Sequence, residues 1–350
     1  MKISERKFGE LKGQDVTEFC LENDHGVRVR ALNYGGIVTE TWAPDAKGDF
    51  ANVSLGFGTL DEYLVHSPYF GALVGRVAGR IGDARFEMDG KTYQLAKNEG
   101  ANILHGGPNN FSKQIWNSET LETEDAIGVV FSLTSPDGEN GFPGNLDVRV
   151  TYTLNNANEW RIKYEAKSDA KTVFNPTNHV YFNLTGDVAQ TILDQELEMC
   201  SSRFVALRED SIPTGELVDV TGTPFDFRMS RVLRDGATSE HPQNVIVKNG
   251  YDHAFVLDHD ETGMPDARLV DQNSGRVVEM RTDCESVVIY SGNQLTGNFA
   301  IDGVVAPKYA GVTMETQGLP DSMNHEGFGS AVIQEDELFQ SETVFTFKTL

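Results

Sequence analysis

The sequence predicts an all-β protein, folded as a large antiparallel β-sandwich with few or no long helices. Short segments alternate apolar and polar residues with the period of two that is typical of half-buried strands. Many of the 34 glycines gather with asparagine and aspartate in the turns between these segments. No segment carries a long apolar stripe with the helical period of 3.6. Antiparallel sheets stacked face to face would bury all of the alternating segments in one core.

Individual strands follow from this alternation. Residues 27–32 read Val-Arg-Val-Arg-Ala-Leu, and the next four residues, Asn-Tyr-Gly-Gly, form a turn signal. Further segments rich in Val, Thr, Ile, Tyr and Phe have the composition of strands. They predict strands at residues 126–133, 146–154, 159–166, 193–199, 254–257, 276–280, 287–290 and 343–347.

Two local signals and one absence complete the organisation. The Asp89-Gly90 pair predicts a tight hairpin between strands at residues 84–87 and 92–95. Residues 59–66 predict one short helix. Because no Pro/Ser-rich linker or low-complexity stretch divides the chain, we expect residues 1–350 to form a single domain.

Composition narrows the class of partner. The chain carries 29 Lys and Arg against 53 Asp and Glu, a net charge of −24 that repels nucleic acid and anionic lipid. No cluster of basic residues overrides this charge, so a neutral small molecule is the expected ligand. Neither a signal-peptide pattern nor an apolar run of about 18 residues is present. We therefore expect a soluble, cytoplasmic protein with no nucleic-acid or membrane partner.

Five short stretches gather the polar residues that chemistry needs, each at a strand end or turn. Residues 75–82 hold Arg76 and Arg80 among small neighbours that leave room for a ligand. In residues 98–107, His105 lies between an apolar pair and two glycines that permit close approach. A solvated or paired arginine and a structural histidine are the alternatives for these two stretches.

The third and fourth stretches add a histidine, a tyrosine and an aspartate. In residues 175–184, a period of two places His179 and Tyr181 on one face of an apparent strand. They form either a buried pair or an acid/base group beside a sugar platform. In residues 249–257, Asp252 lies at the mouth of a strand, where a turn-capping role is the alternative.

The fifth stretch, residues 311–322, sets Glu315 within an apolar strand that ends in a Gly/Pro turn. Carboxylates are rarely buried without a partner or a function. Metal binding is not expected, because no histidines have zinc-ligand spacing and Cys20, Cys200 and Cys284 form no CxxC pair. A serine hydrolase lacks its Gly-x-Ser-x-Gly elbow, whereas a glycosidase that uses Glu315 with Asp252 stays open.

Together the five stretches resemble the aldose 1-epimerase family, also called galactose mutarotases, in the family's order along almost the whole chain. The matching segments read Gly-Arg-Val-Ala-Gly-Arg-Ile, Asn-x-Leu-His-Gly-Gly, Asn-x-Thr-Asn-His-x-Tyr-Phe-Asn-Leu, Tyr-Asp-His and Glu-Thr-Gln-x-x-Pro-Asp. The resemblance implies a large antiparallel β-sandwich, Glu315 as general base, His179 as general acid, and no cofactor or metal. It also implies sugar-binding roles for Arg80, His105, Tyr181 and Asp252.

The implied reaction is the interconversion of the α and β anomers of a free aldose such as glucose, galactose or maltose. Two positions depart from the family: Gly79 replaces a common asparagine, and Val288 replaces a glutamine that contacts sugar in some relatives. A hexose-phosphate 1-epimerase and a catalytically silent sugar-binding protein of the same fold are the alternatives. Monomer and homodimer are equally compatible with the sequence.

Overall fold

The computed structural model describes residues 1–259, 263–295 and 297–350, and these are organised mainly as antiparallel β-sheets. The largest sheet has nine strands. In spatial order they are β11 (Asn117–Glu122), β12 (Ala126–Ser135), β13 (Leu146–Asn155), β14 (Glu159–Ser168), β30 (Phe339–Thr349), β24 (Arg276–Thr282), β23 (Ala267–Asp271), β18 (Glu196–Met199) and β21 (Arg231–Val232).

A six-stranded sheet faces the nine-stranded one. Its spatial order is β17 (Tyr181–Phe182), β28 (Val312–Gln317), β25 (Ser286–Tyr290), β22 (Asp252–Val256), β19 (Arg203–Leu207) and β20 (Pro213–Asp219). The rings of Phe182 and Phe345, one from each sheet, are 5.2 Å apart between centroids. The two sheets therefore form the sandwich that the alternation predicts.

Smaller elements surround the sandwich. A five-stranded N-terminal sheet consists of β1 (Lys2–Leu11), β2 (Gln14–Glu22), β3 (Arg28–Leu32), β4 (Val38–Pro44) and β5 (Phe50–Asn52). Two-stranded ribbons pair β6 (Leu73–Val74) with β16 (Thr177–Asn178), β7 (Arg80–Ile81) with β10 (Ile103–Leu104), β8 (Arg85–Met88) with β9 (Lys91–Gln94), β15 (Thr172–Val173) with β29 (Val332–Ile333), and β26 (Ala300–Ile301) with β27 (Val304–Val305). The helices are α1 (Leu60–His66), α2 (Arg234–Ala237) and α3 (Pro242–Ile246).

The main hydrophobic core lies between the two large sheets. Along β28, Val312 and Met314 point into this core, while Glu315 points to the other face. Burial of a large apolar side chain contributes roughly 1.5–3 kcal/mol, so these core residues hold the strand in one register. The register in turn determines which side chains reach the outer face of the six-stranded sheet.

Most of the predicted elements are confirmed. The Asp89-Gly90 turn joins β8 to β9, with both residues at the positive φ that a tight hairpin turn requires. The predicted short helix is α1, and its N-terminus is closed by a capping box between Thr59 and Glu62. Among the described residues no helix is long and apolar enough to cross a bilayer.

Two predicted strands differ from the structure. Residues 193–199 begin with the 3₁₀ turn Ile192–Asp194, so β18 starts only at Glu196. The apparent strand at residues 175–184 is two short pieces, β16 and β17, because the chain changes its pairing partner from β6 to β28. At the change, the Asn178 side chain accepts the Val180 N–H at 3.1 Å in place of a ladder hydrogen bond. His179 therefore lies in the junction rather than in a strand.

Candidate active site

A pocket of about 240 Å³ opens on the face of the six-stranded sheet that is turned away from the core. Its floor consists of the outward side chains of β17, β28, β25 and β22, and its walls come from β7, β10 and neighbouring loops. All six residues that the sequence predicts for catalysis and sugar binding line this pocket: Arg80, His105, His179, Tyr181, Asp252 and Glu315.

The register of the sheet arranges the floor in two rows. One row crosses the strands as Tyr181, Thr313, Tyr290 and Asp252, each paired with the next. The adjacent row is Glu315, Val288 and Ala254. Because side chains alternate between the faces of a strand, a two-residue step along each strand leads from one row to the other. His179, two residues before Tyr181, completes the second row beside Glu315.

Glu315 and His179 form a buried pair. Their side chains are 4% and 6% exposed, and Nε2 of His179 lies 3.4 Å from Oε1 of Glu315. The hydroxyl of Thr313 donates a hydrogen bond of 2.8 Å to the same Oε1 atom. Nδ1 of His179 has no hydrogen-bond partner among the described residues. A carboxyl and an imidazole at this distance can both exchange protons with a small ligand placed beside them.

Burial sets the charge of this pair. Burial raises the pKa of Glu315 to about 8, and the Thr313 hydrogen bond and the Arg80 charge only partly oppose this rise. Burial also lowers the pKa of His179 to about 4. At neutral pH the pair therefore carries one proton, which resides on the carboxyl group. The pKa of Glu315 moves toward the range in which a group can give and take protons at neutral pH, whereas the pKa of His179 moves below that range.

Arg80 lies between two carboxylates at the pocket wall. Its guanidinium donates to Glu99 through Nε at 2.6 Å and Nη2 at 3.0 Å, a bidentate geometry. Its Nη1 atom lies 3.9 Å from Oδ2 of Asp252. Burial opposes the Arg80 charge, but the Asp252 and Glu99 carboxylates outweigh burial and raise its pKa. Burial raises the pKa of Asp252, and the Arg80 charge limits this rise.

The protonation of His105 is fixed by the backbone of Gly79. The Gly79 N–H donates to Nδ1 of His105 at 3.2 Å, while the backbone N–H of His105 donates to the Gly79 carbonyl at 2.9 Å. Burial, together with the nearby His179 and Arg80, lowers the pKa of His105 well below its ordinary range. A neutral imidazole that accepts at Nδ1 carries its proton on Nε2. His105 is therefore a hydrogen-bond donor through Nε2.

The same tautomer bears on metal binding. Ligand atoms of His105, His179 and Glu315 lie within 4.8 Å of one another, a proximity that sequence spacing does not reveal. A metal needs an unprotonated nitrogen lone pair from each histidine. In His105, Nδ1 already accepts from Gly79 and Nε2 carries the proton. The cluster is therefore better suited to hydrogen bonding and proton transfer than to holding a metal.

Comparison with known proteins agrees with this geometry. The family profile described as aldose 1-epimerase matches residues 17–346. The chain belongs to the aldose 1-epimerase family. It is therefore an isomerase that interconverts the anomers of a small-molecule sugar. The family predicted from the five sequence stretches is therefore confirmed.

Individual aldose epimerases resemble the chain over nearly its full length. A galactose mutarotase from Sus scrofa is 39% identical over 99% of both chains. A maltose epimerase from Levilactobacillus brevis is 36% identical over 95% of both chains. Among solved structures, a galactose 1-epimerase from Lactobacillus acidophilus NCFM covers 99% of both chains with a TM-score of 0.89 and 29% identity. The β-sandwich predicted from the sequence is the fold of these aldose epimerases.

One candidate ligand-binding residue of this aldose epimerase, Arg76, lies outside the pocket. The Arg76 side chain is buried away from it and donates to the carbonyl oxygens of Ser135, Pro136, Pro143 and Gly144 at 2.8–2.9 Å. The sequence interpretation of Arg76 as a ligand-binding residue is therefore wrong. The alternative of a solvated or acid-paired arginine is also wrong, because its partners are backbone carbonyls.

The two departures from the family pattern both lie at the pocket. Gly79 has φ of +70°, and a Cβ atom there would lie 2.9 Å from Cβ of Pro320. A larger residue at position 79 therefore requires movement of Pro320. Val288 pairs with Ala254 on one side and with Glu315 on the other. Val288 and Ala254 form an apolar strip along the pocket floor of this aldose epimerase.

Several residues of the site were not predicted from the sequence. Tyr69 packs its ring against His105 and His179, at 4.6 and 5.8 Å between centroids. It comes from a loop with φ of +64°, and no sequence signal marks it. Tyr290 lies on a predicted strand two residues after Val288, so the period of two could have indicated its position. The pairing of Glu99 with Arg80 depends on the β7–β10 ribbon, which is only two residues long.

Proposed function

We propose that this protein interconverts the α and β anomers of a free, uncharged hexose, with Glu315 as general base and His179 as general acid. The observation that carries the proposal is the buried Glu315–His179 pair with 3.4 Å between Oε1 and Nε2. Opening a cyclic hemiacetal requires removal of the O1 proton and protonation of the ring oxygen O5. One base and one acid on the same side of the sugar can perform both transfers.

The proton moves within the pair during the reaction. The Glu315 carboxylate takes the O1 proton while the His179 imidazolium gives a proton to O5, which opens the ring. The pair then holds one proton on Glu315 and none on His179, the distribution that burial favours. Rotation about C1–C2 presents the other face of the aldehyde. Reclosure reverses both transfers and produces the opposite anomer, so no cofactor enters the balance.

The other pocket residues supply hydrogen bonds and shape. His105 offers an Nε2 donor, and Arg80 and Asp252 offer a donor and an acceptor next to each other. The hydroxyl of Tyr181 donates to the Pro68 carbonyl at 3.1 Å, which fixes its ring as a wall beside His179. Pyranose sugars present both polar hydroxyl edges and apolar C–H faces. This combination supports a sugar-binding role for the four residues.

Charge around the pocket supports an uncharged substrate. Arg80 is the lining cation among the described residues, and it already contacts the carboxylates of Glu99 and Asp252. Arg76, the other basic candidate, binds backbone carbonyls outside the pocket. A phosphate group would therefore meet a negative environment without a free cation, so a hexose-phosphate epimerase is not favoured.

Polarimetry tests the proposal. Freshly dissolved α-D-glucose and α-D-galactose should reach rotational equilibrium faster with the protein than without it. Glu315→Gln should remove about 10²–10⁴-fold of the enzymatic rate, because the amide cannot accept the O1 proton. Glu335→Gln makes the same side-chain replacement at an exposed site and should leave the rate unchanged.

Two further test compounds in the same polarimetric assay define the substrate. Maltose tests a disaccharide, motivated by the maltose epimerase relative, and glucose 6-phosphate tests the charged alternative. Absence of acceleration with all three free sugars contradicts the proposal. Sugar binding by calorimetry without any acceleration would instead indicate a silent binding protein.

A further inference from the structure

We propose that Thr313 is a positioning residue that holds Glu315 in place and favours its reactive carboxylate form, an inference that rests on the proposed function. Thr313 is fully buried and lies in the floor row between Tyr290 and Tyr181. It falls two residues before Glu315 on β28, so both side chains emerge on the same face of the sheet.

Two hydrogen bonds fix the orientation of the Thr313 hydroxyl. The backbone N–H of Tyr290 donates to its Oγ1 atom at 3.3 Å. The same Oγ1 atom donates to Oε1 of Glu315 at 2.8 Å. Because Oγ1 accepts from a neighbouring strand, its hydrogen is directed at the carboxyl group. Hydrogen bonds to a charged acceptor are roughly twice as strong as neutral ones, so this bond favours the carboxylate over the protonated acid.

The bond also orients the carboxyl group for the reaction. Oε1 of Glu315 contacts both Thr313 and Nε2 of His179. Within the part of the chain that the structure describes, no hydrogen bond reaches Oε2 of Glu315. Thr313 thus retains one carboxyl oxygen beside the acid and leaves the other for the sugar.

Few other groups can replace this donor. The titratable groups that face Glu315 from the packed elements are Arg80, His105, His179, Tyr181, Asp252 and Tyr290. Arg80 favours the carboxylate, but it is held at the pocket wall by Glu99. Asp252 opposes the carboxylate by like charge. Thr313 is therefore the neutral donor that directly counters the burial of Glu315.

Removal of the hydroxyl has a specific kinetic signature. It raises the pKa of Glu315 and shifts the shared proton of the pair further toward the carboxyl group. The fraction of enzyme with carboxylate and imidazolium together then falls, so kcat/KM on the neutral plateau should fall about tenfold. The fall of kcat/KM on the alkaline side of the pH profile should shift to higher pH by about one unit. At still higher pH the kcat/KM values of the wild-type protein and the variant should converge. In that range Glu315 is ionised in both proteins, so the fraction of active enzyme depends only on the protonation of His179.

The experiment compares variants by polarimetry of the most active sugar between pH 5 and 10, with the spontaneous rate subtracted. Thr313→Val removes the hydroxyl at nearly constant volume, and Thr313→Ala removes it with less bulk in case the valine variant does not fold. Thr313→Ser retains the hydroxyl and should restore the wild-type profile. Circular dichroism and thermal unfolding verify that each variant is folded.

The outcomes separate this inference from the proposed function. A lower plateau, a raised alkaline limb and convergence at high pH support the role of Thr313. An unchanged profile, or a loss of equal size at every pH, overturns it while the activity of the wild-type protein stands. A wild-type protein without activity contradicts the proposed function itself.

Discussion

Nε2 of His179 and Oε1 of Glu315 lie 3.4 Å apart, although the two residues belong to distant parts of the chain. The contact exists because β17 pairs with β28. This pairing places His179, two residues before β17, beside the outward face of β28. A proposed acid and a proposed base in direct contact act as one unit with a shared proton. Several measurable consequences follow from this sharing.

The first prediction concerns the pH dependence of the reaction. The pair carries one proton between the pKa of His179, lowered to about 4, and that of Glu315, raised to about 8. Enzymatic kcat/KM should therefore be bell-shaped, with loss below about pH 4 as a second proton binds and above about pH 8 as the shared proton leaves. Polarimetry across this range tests the prediction, and a rate that rises continuously through pH 9 would contradict it.

Replacement of the proposed acid forms a second test. His179→Asn cannot protonate O5, so kcat should fall by about 10²–10⁴-fold while KM changes little. His25→Asn, at an exposed position, serves as the matched control and should keep full activity. A near-normal kcat for His179→Asn would mean that another residue is the general acid.

The buried carboxyl group also has a cost for stability. The folded protein holds the Glu315 proton up to a pKa of about 8, whereas the unfolded chain releases it near the ordinary value of 4.5. The folded state thus binds more protons in this window, and the free energy of unfolding falls as pH rises through it. Glu315→Gln removes this dependence and should be more stable than wild type by roughly 1–3 kcal/mol at pH 8.

Urea unfolding at pH 5 and pH 8 measures this effect. The difference between Glu315→Gln and wild type should grow with pH, whereas the exposed Glu335→Gln control should show no such trend. A difference that stays constant from pH 5 to pH 8 would mean that Glu315 is already ionised in the folded protein at pH 5.

Arg76 should affect stability rather than substrate. Its guanidinium donates to four backbone carbonyls and to the Ser135 hydroxyl in a buried position. Arg76→Ala leaves these carbonyls without donors and should destabilise the fold by roughly 3–5 kcal/mol, as judged from urea unfolding. Folded Arg76→Ala protein should keep the wild-type KM, and a large increase in KM would assign Arg76 to the pocket after all.

Arg80 should show the opposite behaviour. Its bidentate contact with Glu99 and its proximity to Asp252 depend on the planar guanidinium, which lysine does not reproduce. Arg80→Lys should raise KM about tenfold with a smaller change in kcat, because a sugar contact is lost while the Glu315–His179 pair remains. Initial-rate polarimetry over a range of sugar concentrations separates the two constants.

The sequence predicted the fold and the composition of the pocket, but not all of its internal contacts. Period-two alternation revealed β13 and β14 because buried side chains alternate with more exposed ones along each strand. Around β16 and β17 the alternation predicted one apparent strand, because two pieces of two residues each are too short for the sequence to reveal the change of pairing partner between them. The junction between them is nonetheless where His179 is positioned.

Residue roles followed a similar division. The resemblance to a family selected the six residues that line the pocket, and their catalytic and binding roles stay predictions. The residue pattern alone does not separate Arg76 from Arg80, because both arginines lie in one small-residue stretch and tertiary packing separates them. The resemblance to the family assigned a sugar-binding role to Arg80 alone. The Thr313 contact with Glu315 follows from period two, but its direction depends on the Tyr290 N–H of the neighbouring strand.

The floor of the pocket has a consequence for how such a protein changes its substrate over evolution. Val288 and Ala254 point outward from strands whose inward residues, Val287 and Phe255, belong to the core. A substitution at an outward position can alter which sugar hydroxyls are accepted while the inward side chains keep every strand in register. The sheet thus serves as a fixed template on which new specificities arise by single replacements, with the proton-transfer pair left intact.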